Sequence, residues 1–403
     1  VRIAITANGP GEFAGWVRPL VAALLARAPE TEIHVIGVPD DYATGQEAAY
    51  IRALFPSVHA YSPREFLAFA LGRPVAGMPD RVDRVQYLGG DLSHAIRVND
   101  RLGGVATSFK FSRKKYAKRF AHVFAVDAAN EAQLVSWGTD PASISVVGNL
   151  AIDGARDEAA GRYGENAGHE VDDGIIFFPG SRKHEITDAL PLFVRIALNL
   201  RRLLPDVPIA FAGSPFVPDA TLAESLARGG SKTTAYGAVA ALEDGAIVAN
   251  GQRFPLLRAA MGAASRARLA ISLPGTKVIE LAALGIPAIV CTPLNVPEYI
   301  VISGPFQYIG KIPLIGTWIK RTAVLAVSKR FTFLAQPNID AGYEIEPEVR
   351  GTILPSYVAS VAAERYADGA WCRATGDALR AQYAERGGAA ERMVDVLLEP
   401  VSA

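Results

Sequence analysis

The chain has 403 residues, half of them apolar, with 41 basic and 41 acidic residues and a formal net charge of zero. That length and apolar share fit two domains with sizeable cores, and the balanced charge excludes a global field that would select nucleic acid or a membrane. Two cysteines far apart, Cys291 and Cys372, make no disulfide framework and fit a reducing compartment. In chain order, Arg2 to Ala7 is apolar and β-prone, Asn8-Gly9-Pro10-Gly11-Glu12 reads as a turn, and Trp16 to Ala28 carries apolar residues at helical spacing. Further strands are expected at Glu32 to Val38, Arg84 to Leu88, His122 to Val126 and Ile144 to Val147. Strands alternating with helical stretches imply a parallel sheet covered on both faces.

Asp153 to Asp173 is rich in Gly, Ala, Glu and Asp with no β-run, and reads as a connection between domains. A second α/β unit opens with Gly174 to Phe178, followed by strands at Val207 to Ala212, Ala246 to Ala249, Leu269 to Leu273 and Ala288 to Cys291. Glu346 to Ala403 looks helical and charged. There is no internal repeat, no low-complexity tract and no spanning segment. The longest uncharged stretches are broken by proline, as at Pro287, Pro293 and Pro297. Val1 to Thr6 already reads as a strand and lacks the basic start and apolar run of a signal peptide, so a cytoplasmic, soluble or peripheral protein is expected.

Two glycine turns carry the chemistry of the second half. Phe178-Pro179-Gly180-Ser181-Arg182, with Glu185, follows one apolar run; Leu273-Pro274-Gly275-Thr276-Lys277, with Glu280, follows another. Both read as strand, turn and helix start, which offers backbone N–H groups and a positive helix end to an anion. The plainer alternative is a pair of ordinary βα loops with Ser181 and Thr276 as helix caps.

These residues resemble the Pro-Gly-Ser-Arg…Glu and Ser-Gly-Thr…Glu turns of the lipid A disaccharide synthases. Gln336-Pro337-Asn338 with Ala341-Gly342 is similar to their Leu-Pro-Asn…Ala-Gly segment; Gly148-Asn149 with Asp153, and Leu88-Gly89-Gly90-Asp91, also fall in family order. The resemblance runs from about Leu88 to Gly342 and is strongest over 174–190 and 269–342. It implies a GT-B glycosyltransferase, with two doubly wound Rossmann-like domains facing a cleft. The expected divisions are 1–153 for the acceptor domain, 154–173 for a linker, 174–345 for the nucleotide-sugar domain and 346–403 for a C-terminal helical segment.

The activity so implied is inverting transfer of a sugar, an acylated glucosamine or another hexose, from a UDP-sugar to a membrane lipid or lipid-linked sugar. A sugar leaving UDP builds charge on the diphosphate. The Asp-x-Asp pattern that would hold a metal is absent from the sequence. Arg182 and the N–H groups of both turns are therefore expected to neutralise that charge without metal or cofactor, since a planar guanidinium matches phosphate oxygens. The expected UDP-sugar contacts are Gly180, Ser181, Arg182, Pro274, Gly275, Thr276, Lys277, Glu280 (through the ribose hydroxyls), Gln336 and Asn338. Inverting transfer also needs a base for the acceptor hydroxyl. Asp91, after two glycines at a strand end, is the first candidate and Glu12 the second; their plainer readings are a helix cap and a tight turn.

Three stretches suggest contact with the inner face of a cell membrane. From Tyr299 to Ile339 there is no acidic residue, and aromatic, aliphatic and basic residues mix over 299–330. Phe66 to Leu71 lies between Arg64 and Arg73, and 110–119 holds six basic residues. Buried core, a dimer contact or a solvated helix face are the alternatives, and nucleic acid is disfavoured because no base-stacking motif accompanies the charge. A homodimer formed by exchanging C-terminal segments stays open.

The family's first turn, usually Gly-Glu-x-Ser-Gly-Asp, is altered here, and its Pro-x-x-Trp-x-Trp segment is replaced by Thr107 to Arg113. Both departures fall in the acceptor half. They leave a UDP-sugar epimerase or hydrolase of the same fold, or a binding protein without turnover, as alternatives.

Overall fold

The computed structural model describes the chain except residues 41–42, 112–115, 164–168, 230–235, 259, 294–330 and 401–403. It divides into two units, Val1–Asp157 with Tyr383–Ala403, and Glu158–Gln382.

The first unit is built on strands β1 (Arg2–Ala7), β2 (Glu32–Gly37), β3 (His59–Tyr61), β4 (Arg84–Tyr87), β5 (Val105–Phe109), β6 (His122–Ala125) and β7 (Ile144–Val146). They form one parallel sheet in the order β3-β2-β1-β4-β5-β6-β7. Ile3, Ala4 and Ile5 are all wholly buried. Such continuous apolar runs, without alternation, mark strands covered on both faces. The chain moves from β1 to β2 in one direction and from β4 to β5 in the other, so strand order reverses between β1 and β4. The tight turn expected over Asn8 to Glu12 is shorter than its sequence suggests. A helix already begins at Pro10, where a fixed φ and a missing N–H suit the first helical position. It continues through a π-helical segment, Phe13–Val17, into Arg18–Arg27.

The second unit carries β8 (Ile175–Phe178), β9 (Ile209–Ala212), β10 (Ala241–Glu243), β11 (Ala246–Ala249), β12 (Gln252–Leu257), β13 (Leu269–Ser272), β14 (Ala288–Pro293) and β15 (Glu348–Gly351). Their order is β10-β11-β12-β9-β8-β13-β14-β15. Six strands, from β12 to β15, are parallel, whereas β10-β11 and β11-β12 are antiparallel. The antiparallel edge departs from the expected purely parallel sheet. Its cause is local: Asp244-Gly245 and Asn250-Gly251 both take positive φ at each residue, the geometry of two-residue hairpin turns. Phe193, Phe177, Phe211 and Phe254 pack in succession across β8, β9 and β12 with ring centroids 5.8, 4.9 and 5.9 Å apart. All four are buried, and such aromatic contacts anchor a sheet core.

Two expected divisions are revised. The expected 154–173 connection begins inside the helix Leu150–Ala159, and Glu158 accepts a bond from the Met261 N–H at 2.9 Å. Its Ala, Arg, Asp and Glu are good or tolerated helix residues, which a search for β-runs overlooks. The 346–403 segment is not uniformly helical or one piece. It contains β15, whose Glu348 and Arg350 hide the strand from an apolar pattern, and 383–403 belong to the first unit.

The returning helix Ala389–Leu397 packs on Arg18–Arg27. Asp153 caps it, accepting from the Gly388 N–H at 2.6 Å and the Ala390 N–H at 2.8 Å. The Asn149 N–H donates to the Arg386 carbonyl at 2.7 Å. Burial pushes the Asp153 carboxyl above its ordinary range, opposed by those two donors. Gly148, Asn149 and Asp153, one piece of the family resemblance, thus hold the end of the chain on its own first unit.

Candidate functional site

In the second unit both glycine turns leave neighbouring strands at the same edge. β8 and β13 pair with Phe178 opposite Ser272, and the Leu273 N–H donates to the Phe178 carbonyl at 3.3 Å. The chain goes from β8 to β9 on one side and from β13 to β14 on the other. Strand order therefore reverses between β8 and β13, and ligands of open α/β sheets bind outside the carboxyl ends at such a point. Gly180, Ser181, Arg182, Pro274, Gly275, Thr276 and Lys277 are brought together there as expected.

The two turns differ in detail. Arg182, rather than Ser181, is the residue before the helix Lys183–Leu203, and it caps nothing with its own side chain. Instead Glu185 reaches back and accepts from the Ser181 N–H at 2.9 Å and the Arg182 N–H at 3.1 Å, while pairing with Arg182 Nη1 at 3.2 Å. This is the acidic half of a capping box. Gly275, rather than Thr276, precedes the helix Thr276–Leu284, and no side chain caps that helix. Gly275 has φ +146° and ψ −166°, a region essentially confined to glycine, and among the described residues a Cβ there would meet nothing within 4 Å. Lys277 Nζ sits 2.5 Å from Glu280 Oε2, and the Glu280 side chain is only 4% exposed. A ribose acceptor role for Glu280 would therefore require it to share its carboxylate with Lys277.

Asn338 is not part of this edge, and Gln336 is bonded within its own helix. Gln336 Nε2 donates to Asp340 Oδ1 at 2.6 Å within the helix Gln336–Ala341. Asn338 is wholly buried; its amide donates to the Glu346 carbonyl and Glu348 Oε1, and its Oδ1 accepts from the Ile345 and Glu346 N–H groups. Those bonds use both donors and both lone pairs of the side chain. They also hold the segment entering β15, beside the amino end of β14, where Glu346 Oε1 accepts from the Ala288 N–H. Asn338 is a brace at the opposite edge of the sheet, and its expected contact with UDP-sugar is corrected accordingly.

In the first unit, Asn8, Glu12, Gly89, Gly90 and Asp91 meet at the carboxyl ends of β1 and β4, again at the reversal of strand order. A Cβ on Gly89 would lie 2.5 Å from Asn8 Oδ1 and 2.9 Å from Glu12 Cγ, so these side chains occupy the space that glycine leaves. Asp91 is exposed and caps the helix Leu92–Leu102, accepting from the Ser93 N–H at 2.9 Å. The cap and a surface position at the strand end therefore coexist. His94 stands edge-on to Phe66 at 5.1 Å, and burial pushes its pKa down. Sequence reasoning missed Asp40, whose Oδ2 accepts from Asn8 Nδ2 at 3.1 Å. Its only signal was its place directly after β2, one strand from β1.

No family model matches the chain, and no curated protein does. Solved structures do. A UDP-N-acetylglucosamine 2-epimerase aligns with a TM-score of 0.55 at 12% identity, covering 99% of this chain and 96% of its own. The S. aureus MnaA–UDP co-structure aligns at 0.56 with 15% identity, covering 98% and 95%. The Neisseria meningitidis UDP-GlcNAc 2-epimerase bound to UDP-GlcNAc aligns at 0.52 with 10% identity, covering 99% and 100%. The fold is GT-B. At these identities the likeness concerns the fold alone, and none of the three is a lipid A disaccharide synthase. In this GT-B chain the two glycine turns of the family resemblance meet at one edge, while Asn338 and Asp153 hold backbone segments through their hydrogen bonds.

The three candidate membrane stretches fare differently. On the helix Pro63–Ala70, Phe66 and Phe69 are buried, but Leu67 is 49% exposed and Leu71, just past its end, 73%. Arg64, Arg73, Arg97 and Arg101 are exposed nearby: Arg97 Nη1 donates to the Ala70 carbonyl, and Arg101 lies over the Phe69 ring at 4.9 Å. Part of 110–119 and all of 299–330 lie outside the described residues. Among the described residues no helix is long and apolar enough to cross a membrane.

Proposed function

We propose that this protein is a UDP-sugar enzyme whose second unit holds the nucleotide, and that it transfers the sugar to a lipid or lipid-linked acceptor. The observation that carries this reading is the pair of glycine turns side by side at the reversal of strand order, with Arg182 and Lys277 beside them. Backbone N–H groups, two helix starts and two cations suit a diphosphate. The resemblance to lipid A disaccharide synthases in these same residues points to transfer. The exposed Leu67 and Leu71 among arginines suit an anionic bilayer carrying the acceptor. Asp91, exposed at a strand end, is our candidate base, with Glu12 beside Asn8 as the second. No metal or cofactor enters this proposal.

A second reading is epimerisation of the UDP-sugar itself. It is favoured by the structural neighbours, two of which are described as UDP-GlcNAc 2-epimerases and a third as a complex with UDP. Incubation with UDP-hexosamines, with and without vesicles of bacterial lipid, separates the two. UDP release that requires lipid supports transfer, and an isomerised nucleotide sugar without lipid supports epimerisation. Asp91→Ala should abolish transfer while keeping UDP binding; full transfer activity would remove Asp91 as the base.

A further inference from the structure

The Gly180 turn already contains an anion. Glu185 Oε2 takes the Ser181 and Arg182 N–H groups and Oε1 faces the Arg182 guanidinium. A Cβ on Gly180 would lie 2.5 Å from Glu185 Oε2 and 2.7 Å from Glu185 Cβ. The hollow created by this glycine is therefore the space that the Glu185 side chain fills. Two backbone N–H groups and one guanidinium form the donor set that recognises a phosphate. A phosphate cannot occupy those donors while the carboxylate does, and two anions at one guanidinium repel each other.

Resting on the UDP-sugar reading, we infer that Glu185 is a positioning residue that serves as the resident anion of this turn. It keeps Arg182 and the two N–H groups in phosphate-binding geometry in the free protein, and a ligand's phosphate displaces it. Its charge then sets the affinity of the turn for anions. A phosphate monoester exchanges one anion for another, whereas a diphosphate can also span toward the Gly275 turn and gain donors there. Glu185 thus lowers the affinity for every anion that enters the turn.

The test compares uridine, UMP, UDP and inorganic pyrophosphate by calorimetry on the full chain and on Glu185→Gln. Glutamine keeps the capping acceptor and removes the charge. Expected are an unchanged uridine affinity, a UDP affinity raised by about tenfold and a UMP affinity raised by no more than that. A merely structural role would shift uridine and UDP together and downward. UDP bound by the wild type but equally or more weakly by Glu185→Gln overturns the inference and leaves the UDP-sugar reading intact. If the wild type binds no UDP, that reading fails, and pyrophosphate alone decides: tighter binding to the variant supports a resident anion, and equal or absent binding overturns it. Should the glutamine variant melt early, Glu185→Asp, too short to reach both N–H groups, is expected to show the same direction with a smaller rise; no rise there overturns the inference as well.

Discussion

The two edges of the second sheet treat polar groups in opposite ways. At the amino edge, Asn338 and Glu346 are buried, the Glu348 side chain is nearly covered, and the three are bonded to one another's segments: Glu348 accepts from the Leu334 and Ala335 N–H groups and from Asn338, and Asn338 from the chain entering β15. At the carboxyl edge, Arg182 keeps 38% of its side chain exposed and Lys277 35%, and among the described residues nothing lies within 4 Å of a Cβ built on Gly275. Saturated polar groups hold a structure together, while partly exposed cations beside helix starts are available to a ligand. Motif residues that look alike in sequence therefore divide by edge into braces and proposed contacts.

The largest expected effect breaks the brace. Asn338→Ala takes the Asn338 partner from the Ile345 and Glu346 N–H groups and from the Glu346 carbonyl, while Glu348 keeps its bonds from Leu334 and Ala335, and each buried group left unpaired costs about 1–3 kcal/mol. Urea unfolding should show a loss of roughly 3–5 kcal/mol. UDP affinity of the folded fraction should stay unchanged; a selective loss of UDP binding would return Asn338 to the site.

Next is the pH response of the same edge. Burial pushes the Glu346 carboxyl up to about 8, so it is neutral in the folded protein at neutral pH. The folded chain holds this proton where the unfolded chain has released it. Its contribution is present in full below the ordinary carboxyl value of about 4.3 and is lost as pH rises through about 8. Glu346→Gln should flatten the decline of stability between those pH values. An unchanged slope in urea titrations at pH 5, 7 and 9 would contradict a neutral Glu346.

How much of this was legible in the sequence follows the same division. Apolar runs such as Ile175 to Phe178, ended by Pro-Gly or Gly-Gly, revealed strands and the turns after them, because burial on both faces leaves no alternation to confuse. β15 was missed because its charged residues serve an edge strand, and Glu348 is buried only through bonds to Leu334 and Ala335 that sequence spacing cannot show. The hairpins were legible in Asp244-Gly245 and Asn250-Gly251 but were passed over for a parallel pattern. Asp40 joins Asn8 only through the pairing of β1 with β2. The role of Glu185 was half visible: its spacing from Arg182 marks a capping box, but that its carboxylate fills the Gly180 hollow is a fact of three dimensions.

At the carboxyl edge, Arg182→Ala removes the guanidinium opposite Glu185 and any bond it makes to a ligand phosphate. Charge-assisted bonds contribute about 1.5–3 kcal/mol, so UDP affinity should fall roughly 10- to 100-fold. Uridine affinity should not change. Equal loss for both ligands would mean that Arg182 supports the turn and does not contact phosphate.

The smallest expected effect separates the two glycines. Among the described residues Gly275→Ala meets no neighbour within 4 Å, so its stability cost there is that of holding alanine at φ +146°, about 1–3 kcal/mol. Its methyl group would project into the open space where a phosphate is proposed to sit, so UDP affinity should fall by more than the melting shift implies. Gly180→Ala, in contrast, would drive its Cβ against the Cβ and carboxylate of Glu185 and expel that side chain from the turn. It should therefore destabilise the chain more than Gly275→Ala, and adding Glu185→Ala to it should recover part of the loss by removing the atoms in collision. Equal melting temperatures for the two single variants would show that the filled and the open turn are alike in solution.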